Sequence, residues 1–257
     1  MSALNQSAQV LKSLHQRPHK PLVLANVYDI LTARAVAELP SSETLATASY
    51  SVAQAAGTTD NDLTLDENLT AVKGIAAVAK EFNKPLTVDF QDAYGSKLEE
   101  GINKLLDLGV AGINLEDYDN TTQQLMDAQT AVDRIRRTLD VAKERNVPDF
   151  VVNARCDVLV LGGKMEEVVK RGKSYLDAGA TTVFVWGGKR DVSKAEVEHM
   201  VKEFGGRLNV SLKRSADGLT IKELADLGVA RISMGPALQI LAMKAFQDEA
   251  AKLFSQL

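Results

Sequence analysis

Three short segments of this chain place charged or amide side chains at alternate positions where a strand-like apolar run ends. Strand side chains alternate between two faces with a period of two, so the polar members of each segment share a face. Burying unpaired charge is costly, so a polar cluster where a core would have Val or Leu usually serves a ligand or a metal. The three sets are Thr87, Asp89 and Gln91 in TVDFQDAYG, Asn114 and Glu116 in GINLED, and Asn153, Arg155 and Asp157 in VVNARCDV.

The oxygen atoms of Asp89, Gln91 and Glu116 are the hard ligands that suit Mg²⁺ or Mn²⁺ rather than zinc. Mg²⁺ retains several waters, so one direct carboxylate with water-mediated contacts is sufficient. The alternative interpretation is that Asp89 and Glu116 only pair with Arg155 in a buried ionic network. As a ligand-binding residue, Arg155 offers a planar fork that can clamp a carboxylate or a phosphonate.

The segment Ser49–Leu65 is polar and longer than most loops between a strand and a helix, and it is a candidate lid. Asp60 within it could act as a base or nucleophile once it is desolvated, although a loop aspartate is more often a turn residue. Ser49 and Tyr50 could supply hydroxyl and backbone N–H donors to an oxyanion.

The secondary-structure elements predicted to position these residues alternate regularly between strand and helix. Eight strands, each followed by a helix, favour a (β/α)8 barrel of the TIM type, with a doubly wound sheet as the alternative. Active sites of such barrels lie at the C-terminal ends of the strands, which is where Asp89, Gln91, Glu116 and Arg155 are expected to lie. Strands are predicted near residues 22–26, 44–48, 85–91, 111–116, 149–155, 181–186, 207–211 and 229–234. Helices are predicted near residues 29–38, 66–82, 96–108, 122–145, 164–178, 193–204, 218–227 and 235–255.

The composition limits the class of protein. The chain has 257 residues, of which 45% are hydrophobic, and no linker divides it, so one domain over residues 1–257 with an N-terminal helical segment is expected. A net charge of −4 without a basic run argues against nucleic acid. One cysteine, Cys156, excludes an intrachain disulfide, and its position predicts packing outside the barrel. With no apolar run long enough to span a bilayer, a cytoplasmic protein is expected.

The motifs, in their order and spacing, resemble those of the isocitrate lyase/phosphoenolpyruvate mutase superfamily from about residue 26 to about residue 245. Asn26-Val-Tyr-Asp29 resembles the family's N-x-W-D, and Ala46–Ala53 resembles its substrate-binding segment. Further matches are Gly57-Thr-Thr-Asp60 to G-x-P-D, Asp89-Phe-Gln91 to D-x-D or D-x-E, Glu116-Asp117 to E-D, and Asn153-Ala-Arg155-Cys-Asp157 to A-R-T-D.

This resemblance implies a (β/α)8 barrel that binds Mg²⁺ through Asp89, Glu116 and Gln91. It implies substrate binding by Ser49, Tyr50, Asn153 and Arg155, with Asp60 and Arg155 as catalytic residues. The substrate would be a small 2-oxo or 2-hydroxy carboxylate that reacts through a pyruvate-like enolate. A homotetramer or homodimer, often with exchanged C-terminal helices, is also implied.

Two departures from the family pattern bear on the reaction. Gln91 is neutral where the family has a second acid, so the site should hold Mg²⁺ more weakly. The lyase loop K-x-C-G-H is absent, and residues 117–124 are expected to pass directly into the next helix. The sequence therefore argues against an isocitrate or methylisocitrate lyase. The common core of the family that remains favours C–C cleavage as in oxaloacetate decarboxylation or a related lyase reaction. A phosphonomutase or phosphonate hydrolase, and a non-catalytic metabolite-binding relative, are the alternatives.

Overall fold

The computed structural model describes residues 2–213 and 218–256, and within them eleven strands and ten α-helices follow one another. The strands are β1 (Leu22–Leu24), β2 (Asn26–Val27), β3 (Leu45–Thr47), β4 (Leu86–Asp89), β5 (Gly112–Glu116), β6 (Tyr118–Asp119), β7 (Gln124–Leu125), β8 (Val151–Cys156), β9 (Thr182–Val185), β10 (Leu208–Ser211) and β11 (Arg231–Ser233). The helices are α1 (Ala3–Leu14), α2 (Ile30–Ala37), α3 (Ser49–Ala56), α4 (Leu65–Glu81), α5 (Leu98–Asp107), α6 (Ala128–Glu144), α7 (Met165–Asp177), α8 (Lys194–Glu203), α9 (Ile221–Leu227) and α10 (Ala237–Phe254).

Nine of these strands form a parallel sheet in the order β1-β11-β10-β9-β8-β5-β4-β3-β2. The two end positions are occupied by β1 and β2, which are separated in the chain only by Ala25. They are two halves of one bent strand, and one half pairs with β11 while the other pairs with β3. The sheet therefore closes on itself, and the predicted (β/α)8 barrel is confirmed. A doubly wound sheet would have left two unrelated strands at its edges.

The outer helices cover the barrel with apolar faces, as their periodicity predicts. In α5, Leu98, Ile102 and Leu105 recur at three- and four-residue spacing and are fully buried. After α5 the chain turns into β5 through Gly109, and after α9 it turns into β11 through Gly228. Both glycines have a left-handed φ, as expected for these turns.

Among the described residues, no helix combines the length and apolar character that crossing a membrane requires.

Two segments differ from their predicted structure. The segment Ser49–Leu65 is not all loop, because Ser49–Ala56 forms α3, which buries Val52 and Ala53 beside Tyr28. Because α3 consists mainly of small and hydroxyl residues, its sequence does not show a clear amphipathic pattern, and no helix was predicted here.

The helix predicted over residues 122–145 begins only at Ala128, where the Asp127 side chain accepts a hydrogen bond from the Thr130 backbone N–H at 3.0 Å. The preceding chain does not pass directly into this helix. It forms an antiparallel hairpin of β6 and β7, so the prediction for residues 117–124 was wrong.

Helix α1 lies at the N-terminal end of the barrel, opposite the end where the strands finish. A Cβ added to Gly112, the first residue of β5, would lie 3.0 Å from Leu11 of α1. His15, just after α1, is buried, and its Nδ1 donates to the Leu11 carbonyl at 2.8 Å. Burial lowers the pKa of His15 to about 3, and the nearby Arg231 guanidinium adds to this effect.

This buried neutral histidine predicts a specific pH dependence of stability. The folded pKa lies below the ordinary value of 6.5, so only the unfolded chain takes up a proton at His15 between pH 6.5 and about 3. The unfolding free energy should therefore fall with pH in this range, by up to about 1.4 kcal/mol per pH unit for this group. Chemical denaturation of wild type and His15→Gln at pH 7 and pH 5 should show the smaller loss in the variant. Equal losses in both proteins would contradict this.

Candidate active site

A cavity of about 620 Å³ opens at the C-terminal ends of the barrel strands, where the sequence predicted a site. Side chains from the ends of β3, β4, β5, β8 and β9 converge on it. The wall includes Ser49, Asp60, Asp89, Glu116, Arg155 and Trp186. Cavities of this size are typical of small-molecule sites.

Asp89 is the last residue of β4 and is held from several sides. Its carboxylate accepts hydrogen bonds from the Ser49 backbone N–H at 2.9 Å and from Asn114 Nδ2 at 3.2 Å. Its own backbone N–H donates to Thr47 Oγ1 at 2.8 Å. Ser49 is the first residue of α3, which has no side-chain cap, so Asp89 takes up one N–H group that the helix leaves without a partner.

Arg155 projects from β8 between two carboxylates. Its Nε donates to Asp157 Oδ1 at 2.9 Å, and its Nη1 donates to Glu116 Oε1 at 2.5 Å. The guanidinium lies over the ring of Trp186, with 4.2 Å between its Cζ and the ring centroid. No hydrogen bond among the described residues uses Nη2, which leaves this amino group as a donor for a ligand. The ionic network of the alternative interpretation is therefore present in part: Arg155 pairs with Glu116 as expected, but its second acid is Asp157 rather than Asp89, and the two pairs do not use the whole guanidinium.

Gln91 does not continue β4, contrary to the alternation on which its prediction rested. The strand ends at Asp89, and Gln91 has a left-handed φ of 49°. This turn directs its Nε2 to the loop after α3, where it donates to the Asp60 carbonyl at 2.6 Å and to Asp60 Oδ1 at 3.0 Å. Gln91 thus fixes Asp60 at the cavity wall. Asp60 is half-buried there and is not a simple turn residue.

The acids of the cavity differ from ordinary carboxyl groups. Burial raises the pKa of Asp60, and the charge of Asp89 adds to this. Burial also raises the pKa of Glu116 well above its ordinary value, although Arg155 opposes the effect. The pKa of Asp157 is raised to about 6, again by burial. Burial disfavours the charged guanidinium of Arg155, but Asp157 and Glu116 outweigh it and raise its pKa.

This charge distribution fits a divalent cation. Among the described residues of the cavity wall, Asp60, Asp89, Glu116 and Asp157 are acidic and only Arg155 is basic. Asp157 Oδ2 is buried without a hydrogen-bond partner. A cation would offset the excess of carboxylate, and these oxygens are the donors that Mg²⁺ or Mn²⁺ prefers. Within the described part of the chain, no group of three or more His, Cys, Asp or Glu side chains is arranged to hold a metal ion, so a cation here would have fewer protein carboxylate ligands and would take water and substrate oxygens as the rest.

Asn153, predicted to bind substrate, lies below the cavity and does not line it. It is fully buried, and its Nδ2 donates to Asn114 Oδ1 at 2.8 Å. The same Oδ1 accepts from Nη2 of the fully buried Arg231 at 2.9 Å. Asn153 and Arg231 therefore orient Asn114, which in turn contacts Asp89, so any effect of Asn153 on the substrate is indirect.

The structure brings Ser49, Tyr50, Asp60, Asp89, Gln91, Glu116 and Arg155 to the cavity wall. Asn114 and Asp157 belong to the polar sets predicted to share a face, but the sequence did not assign either of them a metal, substrate or catalytic role, and Trp186 was not predicted to lie at the site. Trp186 ends the predicted strand TTVFVW, a signal that could have identified it. Tyr118 and Asn120 of the β6–β7 hairpin also line the cavity, so the segment that lacks the lyase loop still reaches the site.

Comparison with known proteins agrees with this geometry. The family described as phosphoenolpyruvate phosphomutase matches residues 11–254 of the chain. An uncharacterized protein of Mycobacterium tuberculosis is 31% identical over 87% of this chain and 81% of its own length. A protein of Corynebacterium glutamicum, provisionally assigned as a 2-methylisocitrate lyase, is 31% identical over 48% of this chain and 44% of its own.

A crystal structure from Burkholderia cenocepacia, described provisionally as a phosphonomutase, has a similar fold. It superposes with a TM-score of 0.87 at 32% identity, covering 97% of this chain and 99% of the other. The names of these relatives include both a lyase and a phosphonomutase, so the comparisons identify a group of enzymes without separating the two reactions.

Proposed function

Because this chain belongs to the phosphoenolpyruvate phosphomutase family, we propose that it is a Mg²⁺-dependent enzyme acting on a 2-oxo or 2-hydroxy carboxylate through a pyruvate-like enolate. Cleavage of a C–C bond is the proposed reaction. The observation that carries the proposal is the position of Arg155, which keeps one amino group for a ligand at a cavity wall that also holds Asp89 and Glu116.

Asp89, Glu116 and the side-chain oxygen of Gln91 would hold the metal ion at the cavity wall. When bound, a divalent cation supplies Lewis acidity that polarises the oxo and carboxylate oxygens of a substrate. Mn²⁺ has the same ligand preference and is a candidate substitute.

Arg155 would bind the substrate carboxylate through Nη2. Asp157 and Glu116 would hold the rest of the guanidinium in place through Nε and Nη1. The first residues of α3, Ser49 and Tyr50, would face the oxygen on which negative charge develops as the bond breaks. Asp60 has a raised pKa and lies at the cavity wall, so it is the proposed group for exchanging a proton with the substrate.

The test is a panel of 2-oxo and 2-hydroxy carboxylates incubated with the protein and Mg²⁺ and followed by proton NMR. At least one should be cleaved at a C–C bond, and EDTA should abolish the reaction. Binding of oxalate with Mg²⁺ in a calorimeter without turnover of any member would instead identify a non-catalytic binding protein.

A second candidate is cleavage or transfer at a P–C bond. Its support is the B. cenocepacia structure, which matches nearly the whole chain, and the absence from this sequence of the lyase K-x-C-G-H loop. Phosphorus NMR with phosphonopyruvate separates the two candidates, because an unchanged spectrum excludes this reaction for that substrate.

We also propose that the protein is a homo-oligomer joined through α10. This helix exposes a set of large apolar side chains, each more than half exposed, whereas Gln239 is its only buried residue among those described. A second copy of the chain would remove this surface from water. The set is Ile240, Leu241, Met243, Phe246, Leu253 and Phe254.

Sedimentation equilibrium should therefore give a mass that is a multiple of 27.8 kDa. Replacing Phe246 and Phe254 together with glutamate should shift the protein to the monomer, because the charges oppose burial of this face. Val10→Glu, at an exposed apolar position of α1, is the matched control and should leave the mass unchanged. A wild-type mass of one chain would contradict the proposal.

A further inference from the structure

One side of the cavity is apolar, and it is continuous with the face of Arg155. Phe184 and Trp186 come from the end of β9, while Val160 and Leu161 come from the loop after β8. The two loops contact each other, since a Cβ added to Gly188 would lie 2.6 Å from Val160 Cγ2. Val160 and Leu161 are 36% and 49% exposed, so apolar surface at the cavity is left open. We call these four residues the apolar wall.

Trp186 belongs to this wall and also positions Arg155. The guanidinium has its Nε on Asp157, its Nη1 on Glu116 and its face over the indole at 4.2 Å. These three contacts leave little freedom to rotate, so Nη2 is presented to the cavity in one orientation. A ligand carboxylate on Nη2 therefore sits beside the indole, at the edge of the apolar wall.

The charge and volume of the cavity indicate what the rest of the ligand is. A cavity of about 620 Å³ is much larger than a pyruvate-like group requires. Arg155 is the only basic side chain among the described residues of the cavity wall, and the first carboxylate occupies it. A second carboxylate would therefore find no further cationic side chain and would be desolvated against the apolar wall, which is unfavourable. An alkyl or aromatic group would instead bury apolar surface on Trp186 and its neighbours.

We propose that the substrate is a 2-oxo or 2-hydroxy monocarboxylate with an apolar substituent, and that Trp186 selects it by orienting Arg155 and contacting that substituent. This rests on the proposed function, because it takes the carboxylate to be bound at Arg155. It makes Trp186 a positioning and specificity-determining residue.

The chain contains a single tryptophan, so Trp186 itself reports on its surroundings. Ligands are titrated into the protein with Mg²⁺ while tryptophan fluorescence is recorded, using pyruvate, 2-oxobutanoate, 2-oxopentanoate and 2-oxoglutarate. Affinity should rise about fourfold for each added methylene that is buried, and the emission should change with the longer ligands. 2-Oxoglutarate, which has a carboxylate where 2-oxopentanoate has a methyl group, should bind at least about tenfold more weakly than 2-oxopentanoate. Equal affinity along the series, or tighter binding of 2-oxoglutarate, would overturn the inference.

Oxalate with Mg²⁺ is the control for the head group. If oxalate binds but the substituent has no effect, the inference fails while the proposed function stands. If neither oxalate nor any 2-oxo acid binds, the proposed function fails and the inference fails with it.

Variants of Trp186 separate its two roles, with binding measured by calorimetry. Trp186→Leu keeps an apolar side chain but removes the aromatic face, so oxalate affinity should fall about 2- to 30-fold while the gain per methylene persists. Trp186→Phe should restore most of the oxalate affinity. A merely structural role would weaken all ligands equally in both variants, and that result would reject the positioning role.

Discussion

Asp89→Asn is expected to lower kcat/KM by at least about a thousandfold for any substrate that the wild type turns over. The change keeps the shape of the side chain but removes the charge proposed to hold the metal ion, and loss of Lewis-acid stabilisation costs several kcal/mol in the transition state. Calorimetry should show that Mg²⁺ affinity falls in parallel. Steady-state kinetics with and without Mg²⁺ is the decisive measurement.

The matched control for this variant is Asp62→Asn. Asp62 lies in the same loop as Asp60 but is exposed and outside the cavity, where it accepts a hydrogen bond from Thr59. It should retain wild-type activity. Full activity in Asp89→Ala, with unchanged dependence on Mg²⁺, would refute the mechanism.

Arg155→Lys is expected to raise KM by roughly 10- to 100-fold, with a smaller change in kcat. Lysine keeps a positive charge beside Glu116 and Asp157, so the buried acids stay partnered, but it lacks the planar fork and cannot stack on Trp186. The loss corresponds to one or two charge-assisted hydrogen bonds to the substrate carboxylate. Calorimetry with oxalate should show the same loss of affinity.

Arg145→Lys is the control for this second variant, because Arg145 is exposed and pairs with Asp107 on the protein surface. It should change neither parameter. If Arg155→Lys also leaves KM and oxalate affinity unchanged, Arg155 does not bind the substrate. It then serves only to neutralise the buried acids beside it.

The barrel was predictable from the sequence because local and long-range signals agree. Short apolar strands alternate with amphipathic helices, and glycines such as Gly109 and Gly228 mark where one ends and the next begins. The polar alternation in β5 and β8 also predicts that Glu116 and Arg155 face the same cavity, since a period of two leaves no other choice.

Other parts of the site could not be read from periodicity. Gln91 leaves the strand through a left-handed residue, so its direction depends on a turn that the pattern does not encode. Asn153 follows the alternation correctly, but it lies too deep in the barrel to reach a ligand. The partnership of Trp186 with Arg155 joins β9 to β8 through one aromatic contact, and residue types alone do not specify such a contact.

Closure of the barrel by one bent strand affects how the protein is made. Asn26, at the start of β2, accepts hydrogen bonds from the backbone N–H groups of Met234 and Gly235 at 2.9 Å, more than 200 positions away. In a chain emerging from the ribosome, β1 cannot pair with β11 until residues 231–233 have been synthesised, so the ring stays open until that point. Contacts of such long sequence separation slow folding. The cavity is therefore completed only after β11 has been made, and a nascent chain arrested before β11 should carry all four acids of the cavity wall but no closed barrel to hold them together.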